Sequence, residues 1–223
     1  NINRVGLSSE AIQDTEVKTG GVDAASPMGY GLVINMVSKT GGNKYKGSAG
    51  INWQPNSWNA NNVGTGTAAT RQVHQYDFSL GGPIQKDKID FFVAARYSDN
   101  FSGTGRTPQL VAIHKALFPD QADVGNTLKG FQPWGKITAK LGGGHNLALI
   151  YQADRLNLKV LGAEDYEQVE VLSTGGPMYG AKLTSVFGGG VTTTFTASYN
   201  TKGGNTRDSY PGGDRNLPSI EYH

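Results

Sequence analysis

The stretch Lys88-Ile-Asp-Phe-Phe-Val-Ala-Ala-Arg-Tyr-Ser-Asp99 decides the fold. Ile89, Phe91, Val93, Ala95 and Tyr97 alternate with Asp90, Phe92, Ala94, Arg96 and Ser98, the two-residue period of a strand whose faces meet different surroundings. Working outward, six further stretches after residue 46 keep the same rhythm, at 47–53, 73–81, 134–142, 145–156, 178–188 and 191–202. One face is apolar and aromatic, as with Ile51 and Trp53, Tyr76 and Phe78, Leu149 and Tyr151, or Phe195 and Tyr199. The other is polar, as with Gln75, Asp77 and Ser79. Phe92 and Ile150 are exceptions, apolar residues on the polar side.

The connections alternate as strictly as the side chains. About twenty residues separate the first stretch from the second, and only Gly82 to Asp87 the second from the third. About thirty-five follow, then Gly143-Gly144, about twenty more, and Gly189-Gly190. Every long loop therefore falls at one end of the sheet. A soluble sandwich gives no reason for this, whereas an outer-membrane barrel has short periplasmic turns, long extracellular loops, and strands of about 9–11 residues with lipid on one face and a polar lumen on the other. The fold expected is all-β, an antiparallel transmembrane β-barrel of which about seven strands are present. Bacterial barrels have an even number of strands, so further strands are expected beyond residue 223.

Composition removes several alternatives. With 32 Gly and 9 Pro in 223 residues, Gly and Pro stay below the roughly 25–30% that marks low complexity. Charged residues are 17% and the formal net charge is +2, without the clustered Lys and Arg of a nucleic-acid surface. The longest apolar run, 91–95, is far short of a spanning helix of about 18 residues. With no Cys there are no disulfides, thiolate nucleophiles or Cys-based zinc sites. No targeting segment opens the chain, which reads as a piece of a longer protein.

Motif matches are weak. Gly64-Thr-Gly66-Thr-Ala-Ala69 spells a dinucleotide fingerprint without the strand before it or the helix after it, and the run from Gly130 to Ile137 lacks the hydroxyl that a P-loop gives to magnesium. Glu164, Asp165, Glu167 and Glu170 could supply paired carboxylates for glycoside hydrolysis, but read more simply as a solvated loop. His74, His114, His145 and His223 have no metal-binding spacing. Thr107-Pro108 followed by Leu110, Ile113, Leu117 and Phe118 predicts a short amphipathic helix packed within the longest loop. No cofactor, metal or covalent chemistry is implied.

Two stretches carry recognisable text. Glu16-Val-Lys-Thr-Gly-Gly21, then Gly31-Leu-Val-Ile-Asn35-Met-Val-Ser-Lys39-Thr-Gly41-Gly42-Asn43, resembles the end of the plug domain and the start of the barrel in TonB-dependent outer-membrane receptors. Tyr76-Asp-Phe-Ser-Leu-Gly-Gly-Pro-Ile84, running through Lys86-Asp-Lys88 to Phe91-Phe92, resembles a hairpin of the Oar-like branch, which often carries a carboxypeptidase-regulatory-like domain. Here Arg96-Tyr97 replaces that branch's usual Tyr-Glu. The resemblance implies that 1–45 is the C-terminal part of a plug, with a strand at 31–39, and that 46–223 is the N-terminal part of the barrel. Gly31, Asn35, Lys39, Gly41, Gly42 and Asn43 would form the junction, with the two glycines at positive φ in a tight turn. Gly82-Pro83 would mark a periplasmic turn where strand pairing has ended.

By the same resemblance the function is active import of a nutrient across the outer membrane of a Gram-negative cell, driven by the TonB-ExbB-ExbD complex. Partners would be outer-membrane lipid and an unknown transported substrate, with no nucleic acid. Asp77, Arg96, Lys136, Lys140 and Lys182, facing the lumen, would pair with plug charges, and Trp58 would touch ligand from a loop. Two alternatives stand beside it: a surface protein for adhesion or assembly using the barrel as an anchor, distinguished by the absence of a TonB box upstream, and a soluble β-sheet enzyme using the acidic loop, against which the exposed apolar face argues.

Overall fold

The computed structural model describes residues 9–19, 32–60, 71–103, 109, 112–113, 116, 125–161 and 169–208. Nearly all of them are antiparallel β-structure. After a short 3₁₀ turn (Ser9–Ala11), β1 (Ile12–Thr19) and β2 (Leu32–Ser38) pair as a two-stranded sheet. All other strands form one ten-stranded sheet. Its meander begins with β3 (Lys46–Gln54), β4 (Arg71–Gln85), β5 (Ile89–Gly103), β6 (Gly125–Gly142) and β7 (His145–Ala153), each paired with the next. β8 (Arg155–Leu161) continues along β6 and pairs with β9 (Val169–Gly175); β10 (Pro177–Val186) pairs with β7 and with β11 (Thr192–Asn200); β12 (Gly203–Asp208) pairs with β9. Among the described residues no helix is long and apolar enough to cross a membrane.

All seven expected stretches are strands, several of them longer than expected. The fifth, however, is interrupted at Asp154. The loop expected after it holds the β8–β9 hairpin, and the polar tail from Gly203 holds β12. Glu164, Asp165 and Glu167 lie outside the described residues, as do the dinucleotide-like run, His114 and His223. Gln109, Ala112, Ile113 and Ala116 are helical, as the amphipathic pattern predicts, but Ile113 is exposed.

Two expectations about turns are corrected. Gly82 and Pro83 lie inside β4, with Pro83 opposite Asp90 at a register shift before Gln85. Proline is tolerated there because an irregularity already frees the ladder. The chain reverses instead around Asp87, which takes φ 62°. Neither Gly41 nor Gly42 has a positive φ, whereas Gly142, Gly143, Gly144, Gly189 and Gly190 all do.

Register carries the alternation across the whole sheet. Ile51, Tyr76, Tyr97 and Phe131 stand in one row, and Val93, Gly135, Tyr151, Tyr179 and Tyr199 in another on the same side. This outer face is apolar and exposed, up to 73% at Ile51 and 68% at Phe195. Rings pair along it, Tyr76 with Tyr97 at 6.3 Å and Tyr151 with Tyr179 at 5.4 Å. The inner face carries Ser48, Asp77, Ser79, Arg96, Lys136 and Gln152. The main buried apolar cluster lies on this polar side: Phe92, Ala94 and Trp134 enclose Ala11, with Ile150 against them.

Three strand lines break at one level: β7 gives way to β8 at Asp154, β9 to β10 at Gly176, and β11 to β12 at 201–202. Asp154 is 2% exposed, and Lys202 Nζ reaches its carboxylate at 2.6 Å. Gly175 takes φ 105°, and a Cβ there would fall on the Asp154 backbone carbonyl, so no other residue fits.

In the intact protein Trp134→Ala removes the largest member of the inner cluster and should cost roughly 3–5 kcal/mol, read as a lower unfolding midpoint in detergent. Phe78→Ala, half-exposed on the opposite face, should shift that midpoint much less. Equal shifts would contradict the placement of the core on the polar side.

Candidate functional site

The inner face is where the chain's N-terminal segment seats itself. Ala11 is wholly buried in the Phe92–Trp134 cluster. Around that contact the attachment is polar. The Lys39 N–H donates to the Ala11 carbonyl at 2.9 Å, closing the segment on itself. The Glu10 carboxylate lies 3.8 Å from Lys39 Nζ and accepts from Ser48 Oγ at 3.1 Å. Ser48 is bonded in turn to Ser79 at 2.7 Å across the β3–β4 ladder. Lys136 Nζ donates to Ser38 Oγ at 3.3 Å, tying β6 to the end of β2.

The segment then crosses to the turn between β4 and β5. A Cβ on Gly41 would fall on the carbonyl oxygen of Phe91, so the backbone can approach β5 only with glycine there. At Gly42 a Cβ would meet nothing within 4 Å. Asn43 clips the turn: its side-chain Oδ1 accepts the Asp87 N–H at 2.9 Å and its side-chain Nδ2 donates to the Asp87 carboxylate. Tyr45 donates to the Pro83 carbonyl at 2.9 Å. Between segment and wall lies a cavity of about 700 Å³ whose polar lining includes Gln13, Lys39, Asn43, Lys44 and Lys46.

The sequence-predicted junction residues divide accordingly. Lys39, Gly41 and Asn43 make the contacts just described, Gly42 is exposed, and Asn35 lies in β2 opposite Glu16. Gly31 lies outside the described residues. Asp77 and Arg96 are cross-strand partners, 2.6 Å apart, with Gln75 donating to the second carboxylate oxygen at 2.9 Å. Lys140 and Lys182 share the inner face and are exposed. Trp58 is also exposed, on a 3₁₀ turn (Asn56–Trp58), and its ring lies 5.8 Å from Trp53, an outer-face residue. His74 stacks on Trp53, and His145 bonds Ser185 at 2.8 Å.

Sequence reasoning missed Ala11, Tyr45 and the Asn43–Asp87 clip. Phe92 and Ile150, the two breaks in alternation, were the signal for the buried seat, because an apolar residue on a polar face needs something to cover it.

The class of architecture is therefore a two-faced antiparallel wall, apolar outside and polar inside, with the chain's own N-terminal segment on the polar side. Over 136 residues, 57% of the chain, the sequence is 32% identical to the TonB-dependent transporter Oar of Myxococcus xanthus. The chain spans 12% of that protein's length. No family model matches it. No solved structure matches it either.

The close approach at Gly41 gives a direct test. Gly41→Val should unseat the segment and speed its cleavage by added protease in the folded protein, while Gly42→Val should leave the rate unchanged. Equal rates in both variants would show that backbone approach does not hold the segment.

Proposed function

We propose that the chain is part of a TonB-dependent transport receptor of the outer membrane, of the Oar-like branch, with residues 46–223 in the barrel and residues 1–45 the C-terminal part of the plug. One observation carries this reading: the exposed face of the sheet is the apolar one, and the polar face is the one the chain covers with its own N-terminal segment. A soluble protein does the reverse. Lipid on the outside and a plugged, polar lumen on the inside account for both faces together. The similarity to Oar supports the same reading.

The open edges of β3 and β11 need pairing in a membrane, because hydrocarbon cannot satisfy a free edge. Further strands close the barrel in this reading. Lys136, Lys140 and Lys182 then face the lumen beside the plug, and Lys136 already holds Ser38. Trp58 belongs to the loop end of the wall, where ligand would first arrive. Transport requires the plug seat to be broken and remade. A seat made of one small apolar cluster and a handful of exposed hydrogen bonds suits that, with TonB, ExbB and ExbD supplying the energy.

The test compares which compounds cells remove from their medium. Compounds left behind when the gene for this protein is deleted should also be left behind by cells that keep it but lack TonB. Normal removal of those compounds without TonB would overturn the transport reading. Loss of surface attachment with unchanged removal would favour an anchoring role instead.

A further inference from the structure

The outer face changes character above the tyrosines. One row runs Trp53, His74, Asp99, Lys129, Asn157 and Ser173, each opposite the next. Arg155 lies opposite Phe131 and Lys159 opposite Thr127, so the two cations flank Asn157 on the face it shares with Lys129. Diagonal neighbours on a sheet face are about 7–8 Å apart, which gathers Lys129, Arg155 and Lys159 into one patch. All three are exposed. Asp99, 3.0 Å from Lys129, is a partial counter-charge, and among the described residues no carboxylate pairs with Arg155 or Lys159.

Below the patch the same face is apolar and furrowed. Tyr151 stands four residues before Arg155 on the outward side, about 13 Å away at the rise of a strand. There a groove of about 820 Å³ runs between Phe91 and Val93 on one side and Leu149, Tyr151 and Tyr179 on the other, over Gly135. A Cβ at Gly135 would meet only Val93, at 3.8 Å, so the missing side chain is what opens the furrow.

We propose that this outer surface binds an anionic acylated lipid of the outer leaflet, its phosphates on Lys129, Arg155 and Lys159 and an acyl chain in the furrow over Gly135. Charge complementarity selects the occupant. Basic residues just beyond an apolar membrane face attract lipid phosphates, and the Arg155 fork can hold a phosphate through two hydrogen bonds. A protein partner would have to bury three cations against one carboxylate, whereas a phospholipid or phosphorylated glycolipid brings negative charge and hydrocarbon in the same vertical order as the wall. The inference rests on the outer-membrane reading above.

The full-length protein, extracted from outer membranes in mild detergent, should carry a phosphorylated lipid detectable by native mass spectrometry and phosphate analysis. The combined variant Lys129→Gln, Arg155→Gln and Lys159→Gln should lose it, and Gly135→Leu should reduce it without changing charge. Lys140→Gln with Lys182→Gln, on the inner face, should retain it. Equal retention by the triple variant would overturn the proposal, as would a folded wild-type protein carrying no such lipid or a co-purifying protein displaced in its place. Absence of the protein from the outer-membrane fraction, or of heat-modifiable migration, would instead overturn the reading beneath it, so the two failures are separable.

Discussion

A pleated strand sends successive side chains to opposite faces, and everything in this molecule depends on which face is given water. Hydrogen bonding along the ladders fixes the backbone on both sides alike, so the side chains alone distinguish inside from outside. Here the large apolar residues of one face stand exposed, while Ser79 and Gln152 on the polar face are buried. The small buried cluster is therefore no ordinary core. Ala11, Phe92, Ala94 and Trp134 form one apolar contact set into a polar wall, and the rest of the N-terminal segment is held by hydrogen bonds and one close backbone approach.

That division explains how several polar groups of the inner face are satisfied within the sheet itself. Asp77 and Arg96 neutralise each other across β4 and β5, and Ser48 and Ser79 bond across β3 and β4, so much of the wall is satisfied sideways. Polar groups that have partners in the sheet do not require the covering segment, and the segment does not require them. Lys136 and Ser48 are the exceptions, reaching Ser38 and Glu10. Attachment is concentrated at few points.

Most of the sheet was legible because a two-residue period over seven or more residues has no competing interpretation. The departures from that period were equally informative once placed: Phe92 and Ile150 broke the alternation because they are roofed. Gly82-Pro83 misled, since a dipeptide typical of turns sits at a bulge inside β4, where the ladder already yields. β9 and β12 were invisible for a different reason. Gly203-Gly-Asn-Thr-Arg-Asp208 has neither apolar alternation nor β-branched density, and it is a strand because β9 lies beside it, a tertiary cause that local propensity does not contain. The seat was read only in part, because the fit of Gly41 on Phe91 and the clip of Asn43 on Asp87 join residues more than forty positions apart.

The break shared by three strand lines ties these threads together. Register is kept through all three interruptions, with Ala153 opposite Pro177 and Leu156 opposite Thr174, so the sheet runs on across them. A buried carboxylate at such a break would be expensive alone, but Lys202 and the Gly176 N–H meet Asp154 there. The outer face changes at the same height. Tyr151, Tyr179 and Tyr199 lie below, and Arg155, Asn157 and Lys159 lie above. An interrupted strand, a paired buried charge and the passage from aromatic to basic side chains coincide at one level of the wall.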